Sequence, residues 1–238
     1  MTIKTSAVDY SRDGTTFEGY LAYDDASAQP RPVVLIAHAW AGAGDFEQAR
    51  ARDLAELGYA GFSLDLYGKG ARGSNNEENA ALMQPLLDDR ALLQKRMKLA
   101  VEVAAAQDGV DASRVAAIGY CFGGLCVLDL ARVGADLRGV VSFHGLFFPP
   151  DNTAGNRITA RVLALHGWND PMAPPEMVVA LAAELTEAGA DWQIHGYGQT
   201  LHAFTNPAAN DPDFGTVYHP TADRRSWQSM VNFLEEVF

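Results

Sequence analysis

The sequence predicts an α/β protein in which helices cover both faces of a mostly parallel central sheet, with an antiparallel hairpin at one edge. Three observations lead there. Short apolar runs such as Val33-Val34-Leu35-Ile36-Ala37 alternate with amphipathic stretches of helical length, as in buried parallel strands joined by helical crossovers. Before that alternation begins, two strand-like segments flank an Asp13-Gly14 turn. The glycine-rich segments carrying His, Asp and Cys fall just after predicted strands, at the edge where open α/β sheets build their sites.

Taken in chain order, residues 6–10 and 17–23 form the edge hairpin. The parallel set opens with a strand at 33–37, a helix at 46–57 closed by Gly58, and a strand at 59–64. Residues 77–107 read as one long helical stretch, with Pro85 near its start or at an interruption. A strand at 115–118 then leads through a glycine turn into a helix at 122–133. Strands follow at 139–143, 161–165 and 192–197, with a helix at 174–188 and a closing helix at 222–238. No repeat, linker or low-complexity segment interrupts them, and residues 1–238 read as a single domain.

Composition bounds the function. The 238 residues, 48% hydrophobic and 20% charged, are enough for a full-sized core without disulfide or metal staples. Only two cysteines occur, Cys121 and Cys126, too few for a zinc site or a disulfide framework; Cys126 reads as a small buried apolar residue. The formal charge of −12 excludes a phosphate-backbone binder, which needs a basic surface. The segment Met1-Thr2-Ile3-Lys4-Thr5-Ser6 has no leader-like apolar run, and no stretch approaches membrane-spanning length, so a cytoplasmic location is expected.

Gly119-Tyr120-Cys121-Phe122-Gly123-Gly124 carries the chemistry. Glycines two before and two after Cys121 give the G-x-[S/C]-x-G spacing of a strand-turn-helix elbow, which lifts its central residue to the sheet rim in strained geometry. The thiol then sits at a helix N-terminus, where a thiolate is favoured. A thiol nucleophile needs a base, and the base needs an orienting acid. Asp170 follows the strand at 161–165, and His202 follows the strand at 192–197, which gives the order nucleophile, acid, histidine. Cys121 is therefore expected to attack, His202 to take and return the proton, and Asp170 to fix the imidazole tautomer. Read blandly, Asp170 before Pro171 is a turn residue and His202 a solvated loop residue.

With these residues the chain resembles the dienelactone hydrolase family of α/β-hydrolases. The matching segments run nearly end to end: Val33 to Ala37 with the glycine loop after it, Gly58-Tyr59-Ala60 leading to Asp65-Leu66-Tyr67, the elbow, His166-Gly167 to Asp170, and His202-Ala203-Phe204. The resemblance implies an α/β-hydrolase fold and a Cys121-Asp170-His202 triad. It implies hydrolysis of lactones or activated carboxylic esters through a thioester acyl-enzyme, without cofactor or metal. It also implies an oxyanion hole built from the backbone N–H groups of Phe122 and Trp40. Two family features are absent: a glutamate after the first parallel strand, where Ala39 stands, and an arginine after the histidine, where Thr205-Asn206-Pro207 stands.

Substrate-pocket candidates are His38, Ala39, Tyr67, Arg90, His144, Trp168 and Phe204, at strand ends or on the long helical stretch; Arg90 and Arg96 also read as solvated helix charges. Three histidines at strand ends, His38, His144 and His166, invite a zinc reading, which is rejected because they lie in hydrolase-type glycine and alanine loops. The expected partner is a small lactone or ester bound by a monomer or homodimer, with no nucleic acid and no membrane. Two rival readings are a broad carboxylesterase or acyl-transfer enzyme with the same triad, and a non-catalytic redox-sensing thiol protein on the same fold.

Overall fold

In the computed structural model, which describes residues 2–26 and 29–238, the chain first reverses at Asp13-Gly14. Both residues are left-handed, with φ of 53° and 79°. A two-residue hairpin loop needs that backbone, and Asp-Gly adopts it readily. Strands β1 (Ile3–Arg12) and β2 (Thr15–Asp24) therefore pair antiparallel, with Arg12 opposite Thr15 and Ile3 opposite Asp24. Met1, part of the segment read as lacking a leader, lies outside the described residues.

The chain forms two compact units, Met1–Ile118 and Gly119–Phe238. Its fold class is the expected one: an eight-stranded, mostly parallel sheet with an antiparallel edge and, among the described residues, six helices. In the first unit, β3 (Arg31–Ala37), α1 (Asp45–Glu56), β4 (Ala60–Ser63), α2 (Asn76–Asp88), α3 (Arg90–Ala105) and most of β5 (Val110–Tyr120) follow the hairpin. The strand order is β1-β2-β4-β3-β5, with β4 antiparallel to β2 and parallel to β3. All seven residues of β3 are buried, which is why the run that follows Arg31, from Pro32 to Ala37, is apolar throughout rather than alternating. Each fully buried Val, Leu or Ile there contributes about 1.5–3 kcal/mol.

The stretch 77–107 is not one helix. Pro85 lies inside α2, where it removes an N–H from the helical ladder, and the chain breaks four residues later at Asp89, with φ −119° and ψ 82°. Asp89 then begins the next helix: its side chain accepts the Leu92 N–H at 2.9 Å, an N-cap for α3.

In the second unit come α4 (Phe122–Arg132), β6 (Gly139–Phe143), β7 (Arg161–Gly167), α5 (Pro175–Glu187), β8 (Trp192–Tyr197) and α6 (Pro220–Val237). Strands β6, β7 and β8 run parallel in that order. Helix α4 packs on β6. It is tied to α5 by the buried Arg132, whose guanidinium bonds Glu184 at 2.7 Å, Asp129 at 3.2 Å and the Phe147 carbonyl at 2.8 Å. A buried charge is tolerated when its donors are filled in this way. Helix α6 begins two residues earlier than predicted, because Pro220 occupies its first turn and the His219 ring accepts the Ala222 N–H. A short hairpin, β9 (Asn210–Asp211) and β10 (Thr216–Val217), was not predicted.

Candidate active site

Close packing of main chain creates the elbow. A side-chain carbon on Gly119 would lie 2.0 Å from the Gly123 carbonyl oxygen, and one on Gly124 would lie 2.7 Å from both the Gly145 Cα and the Ser142 Oγ. Only glycine fits at either place. Cys121, half-buried between them, has φ 56° and ψ −115° and stands at the N-cap of α4. For a non-glycine residue this backbone is strained by about 1–3 kcal/mol. Its N–H is held by the Phe143 carbonyl at 3.0 Å and by His144 Nδ1 at 3.2 Å, while its carbonyl accepts the Gly124 N–H at 3.0 Å to start the helix. The Phe122 amide opens α4, at the helix end that favours negative charge.

Asp170 and His202 meet beyond the ends of β7 and β8. The turn after β7 closes with the Asp170 N–H on the Gly167 carbonyl at 3.0 Å, and Met172 N–H donates to Asp170 Oδ1 at 2.8 Å. That leaves Oδ2 for His202 Nδ1, at 2.7 Å, with both side chains almost fully buried. The main chain of His202 is clamped by the β9–β10 hairpin: its N–H donates to the Gly215 carbonyl at 2.9 Å and its carbonyl accepts the Val217 N–H at 3.1 Å. The following residue, Ala203, is left-handed with φ 55°.

The electrostatics of His202 follow from this enclosure. Burial opposes the imidazolium, but charge interactions and side-chain hydrogen bonds with Cys121 and Asp170 outweigh it, and the His202 pKa is pushed up to about 10. Among the described residues Nε2 has no partner within ordinary hydrogen-bond limits, while a hydrogen bond to the Cys121 side chain also contributes to the raised pKa, so the two groups stand at the margin of bonding. Such an arrangement can hold a thiolate–imidazolium pair and pass a proton through Nε2.

The second unit also holds His144, His166, Trp168 and Phe204. His144 is buried, with Nδ1 on the Cys121 N–H, Nε2 on Thr205 Oγ1 at 2.8 Å, and its ring edge-on to both His202 and Phe204 at 5.1 Å. His166 is buried against Phe147, and burial lowers its pKa. Trp168 is 45% exposed and lies over Gly196, while Phe204 is fully buried.

The remaining predicted residues are in the first unit. His38 is buried; its Nε2 accepts the Leu66 N–H at 3.2 Å, so Nδ1 carries the proton and donates to the Ala39 carbonyl at 2.7 Å. Its ring meets Tyr67 edge-on, and the Tyr67 hydroxyl donates to the Trp40 carbonyl at 3.0 Å. Arg90 opens α3 and is half-buried. Arg96 donates to the Leu66 carbonyl and stacks over Phe17, contacts that place it within the fold of this unit.

Two polar braces escaped the sequence reading. Glu47, nearly fully buried, accepts the Gly44 N–H at 2.9 Å and the Ala39 N–H at 3.4 Å and so shapes the loop after β3; burial raises its pKa. The signal was a glutamate three residues after the N-cap of α1, the rear half of a capping box. Thr205 had no sequence signal, because its role exists only through the His144 ring.

The dienelactone hydrolase family model matches residues 17–238. A solved structure named m3DLH is 38% identical with a TM-score of 0.94, and a dienelactone hydrolase-like promiscuous phosphotriesterase from metagenomic libraries is 36% identical with a TM-score of 0.94. Each comparison covers 99% of both chains. A Yersinia pestis protein named "Putative carboxymethylenebutenolidase" is 28% identical over 235 residues, 94% of this chain and 85% of that one.

Proposed function

Because the chain belongs to the dienelactone hydrolase family and is a carboxylic ester hydrolase, we propose that it cleaves lactones or activated esters through Cys121, with His202 and Asp170 as its proton-transfer pair. The observation that carries this reading is the buried 2.7 Å Asp170–His202 bond, on an imidazole whose charge is favoured by the thiolate of a strained, helix-capping Cys121.

The steps follow from those positions. The thiolate attacks the carbonyl carbon, and the Phe122 amide donates to the developing oxyanion; one such donor is worth about 2.7–4 kcal/mol. The tetrahedral intermediate collapses to a thioester as His202 Nε2 protonates the departing oxygen. In a lactone that oxygen stays tethered to the acyl group. His202 then takes a proton from water, the resulting hydroxide attacks the thioester, and the thiolate leaves with the free acid released. Asp170 holds the Nδ1 proton throughout. A thiolate leaves more easily than an alkoxide, so enol lactones, enol esters and aryl esters, whose leaving oxygens are less basic, are favoured over simple alkyl esters.

Turnover of an enol lactone and of p-nitrophenyl acetate by wild type, Cys121→Ser and His202→Ala tests this. Both variants should lose at least about 10³-fold in kcat, and mass spectrometry of rapidly quenched wild type should show the acyl group on Cys121. Undiminished activity in both variants overturns the assignment. The 36% identity to a promiscuous phosphotriesterase supports a second activity, attack of the same thiolate on an activated phosphotriester, tested with paraoxon and the same variants.

A further inference from the structure

His144 occupies an unusual place for a histidine that ends a strand. It follows β6 with φ 38°, a left-handed backbone held by its N–H on the Leu165 carbonyl at 2.8 Å. Both ring nitrogens are committed. Nδ1 lies 3.2 Å from the Cys121 amide nitrogen, and a backbone N–H can only donate, so Nδ1 must be the bare acceptor. The ring proton is then on Nε2, which donates to Thr205 Oγ1 at 2.8 Å. Thr205 is itself buried and stands three residues after His202. One neutral ring thus spans from the main chain of Cys121 to the segment that carries His202, and rests edge-on against the His202 ring at 5.1 Å.

We propose that His144 is a positioning residue for the hydrolytic reaction: a neutral imidazole bridge that fixes the Cys121 main chain against the His202 segment and thereby sets the alignment of thiol and base. The inference rests on Cys121 being the nucleophile. Neutrality is part of the device, because a second proton would remove one of the two acceptors of the Cys121 amide, leaving only the Phe143 carbonyl, and place a cation beside the imidazolium of His202. The groups around the ring keep it neutral. Burial and the charges of His202 and His166 hold its pKa well below the usual histidine range, and Cys121, Tyr120 and Thr205 complete its polar surroundings, with Asp170 behind His202.

The test is kinetic and titrimetric. His144→Phe keeps a ring against His202 and Phe204 but deletes both hydrogen bonds, whereas His144→Gln retains one acceptor and one donor. With an activated aryl ester, His144→Phe should lower kcat about 10–100-fold with KM changed less than about threefold, as expected for misalignment. It should also move the pH profile of Cys121 alkylation by iodoacetamide, and His144→Gln should recover at least about a third of the lost log-rate. If His144→Phe does not fold, Thr205→Val, which removes only the far partner, decides: the same displaced alkylation profile with kcat lowered about threefold or more supports the bridge. Wild-type kcat and an unmoved alkylation profile in the folded variant overturn it, as does a Gln variant no better than Phe. Cys121→Ala, which leaves no nucleophile at the elbow, separates the two ideas: an active Cys121→Ala enzyme refutes the nucleophile, whereas an inactive one beside a wild-type-like His144→Phe refutes only the bridge.

Discussion

At His202 two acidic groups act on one ring, Asp170 on Nδ1 and Cys121 from the Nε2 side, and each makes a different prediction. Asp170→Asn keeps a side chain of the same shape but removes the charge, so kcat should fall about 10³-fold with little change in melting temperature, read by steady-state kinetics and calorimetry. A kcat within tenfold of wild type would show that Asp170 only shapes the turn. The second prediction concerns stability. The folded chain holds the His202 proton more tightly than the unfolded chain, so the stabilisation it gives is complete below the ordinary pKa of 6.5 and disappears as pH rises through about 10. Urea unfolding of wild type and His202→Gln across that window should show the wild type losing its advantage as pH rises; parallel curves would contradict the raised pKa.

Among the elements, those built on short, mostly apolar runs were the most legible: β3, β6 and β7 appear where the sequence placed them, because burial on both faces leaves few alternatives to segments dominated by Val, Leu, Ile and Phe. The joint between α2 and α3 was legible only in part: Pro85 offered an interruption, but not its place four residues further on. Hydrophobic spacing continues through Asp89, and only the backbone geometry shows that this residue caps one helix where another has ended. Asp89→Ala should therefore cost about 0.5–2 kcal/mol in chemical denaturation, the loss of the cap on the Leu92 N–H. A neutral result would mean that water satisfies that N–H equally well. The β9–β10 hairpin escaped for another reason. Two-residue strands carry no periodicity, and the local cues are turn residues alone: Asp211, whose carboxylate accepts the Phe214 N–H at 3.0 Å, with Pro212 and the left-handed Gly215.

For the whole chain, the net charge of −12 sets a long-range field that no single residue shows. It repels anionic substrates and is weakened by salt. Raising ionic strength should increase kcat/KM for a carboxylate-bearing lactone several-fold and leave its methyl ester unchanged; equal responses would show that the field is not felt at the site. At this scale the fold class and the meeting of Asp170 with His202 could be read in advance, because alternating runs and residues that follow successive strands are properties of sequence order. The tautomer of His144 and the clamp on His202 could not, since they arise only when distant segments meet. That clamp has a bearing on how such chains diverge. Val217 holds His202 through an amide N–H, a group every amino acid except proline supplies, whereas Gly215, left-handed at φ 86° and with a side-chain carbon there placed 2.3 Å from Pro171, offers its carbonyl from a position that only glycine fills. Substitution at Val217 by any residue with an N–H leaves the amide anchor chemically available, so natural variation can redecorate this strand while His202 keeps its address. Comparing residue identities among relatives would then register Gly215 but overlook the Val217 anchor, whereas comparing backbone hydrogen bonds would find both.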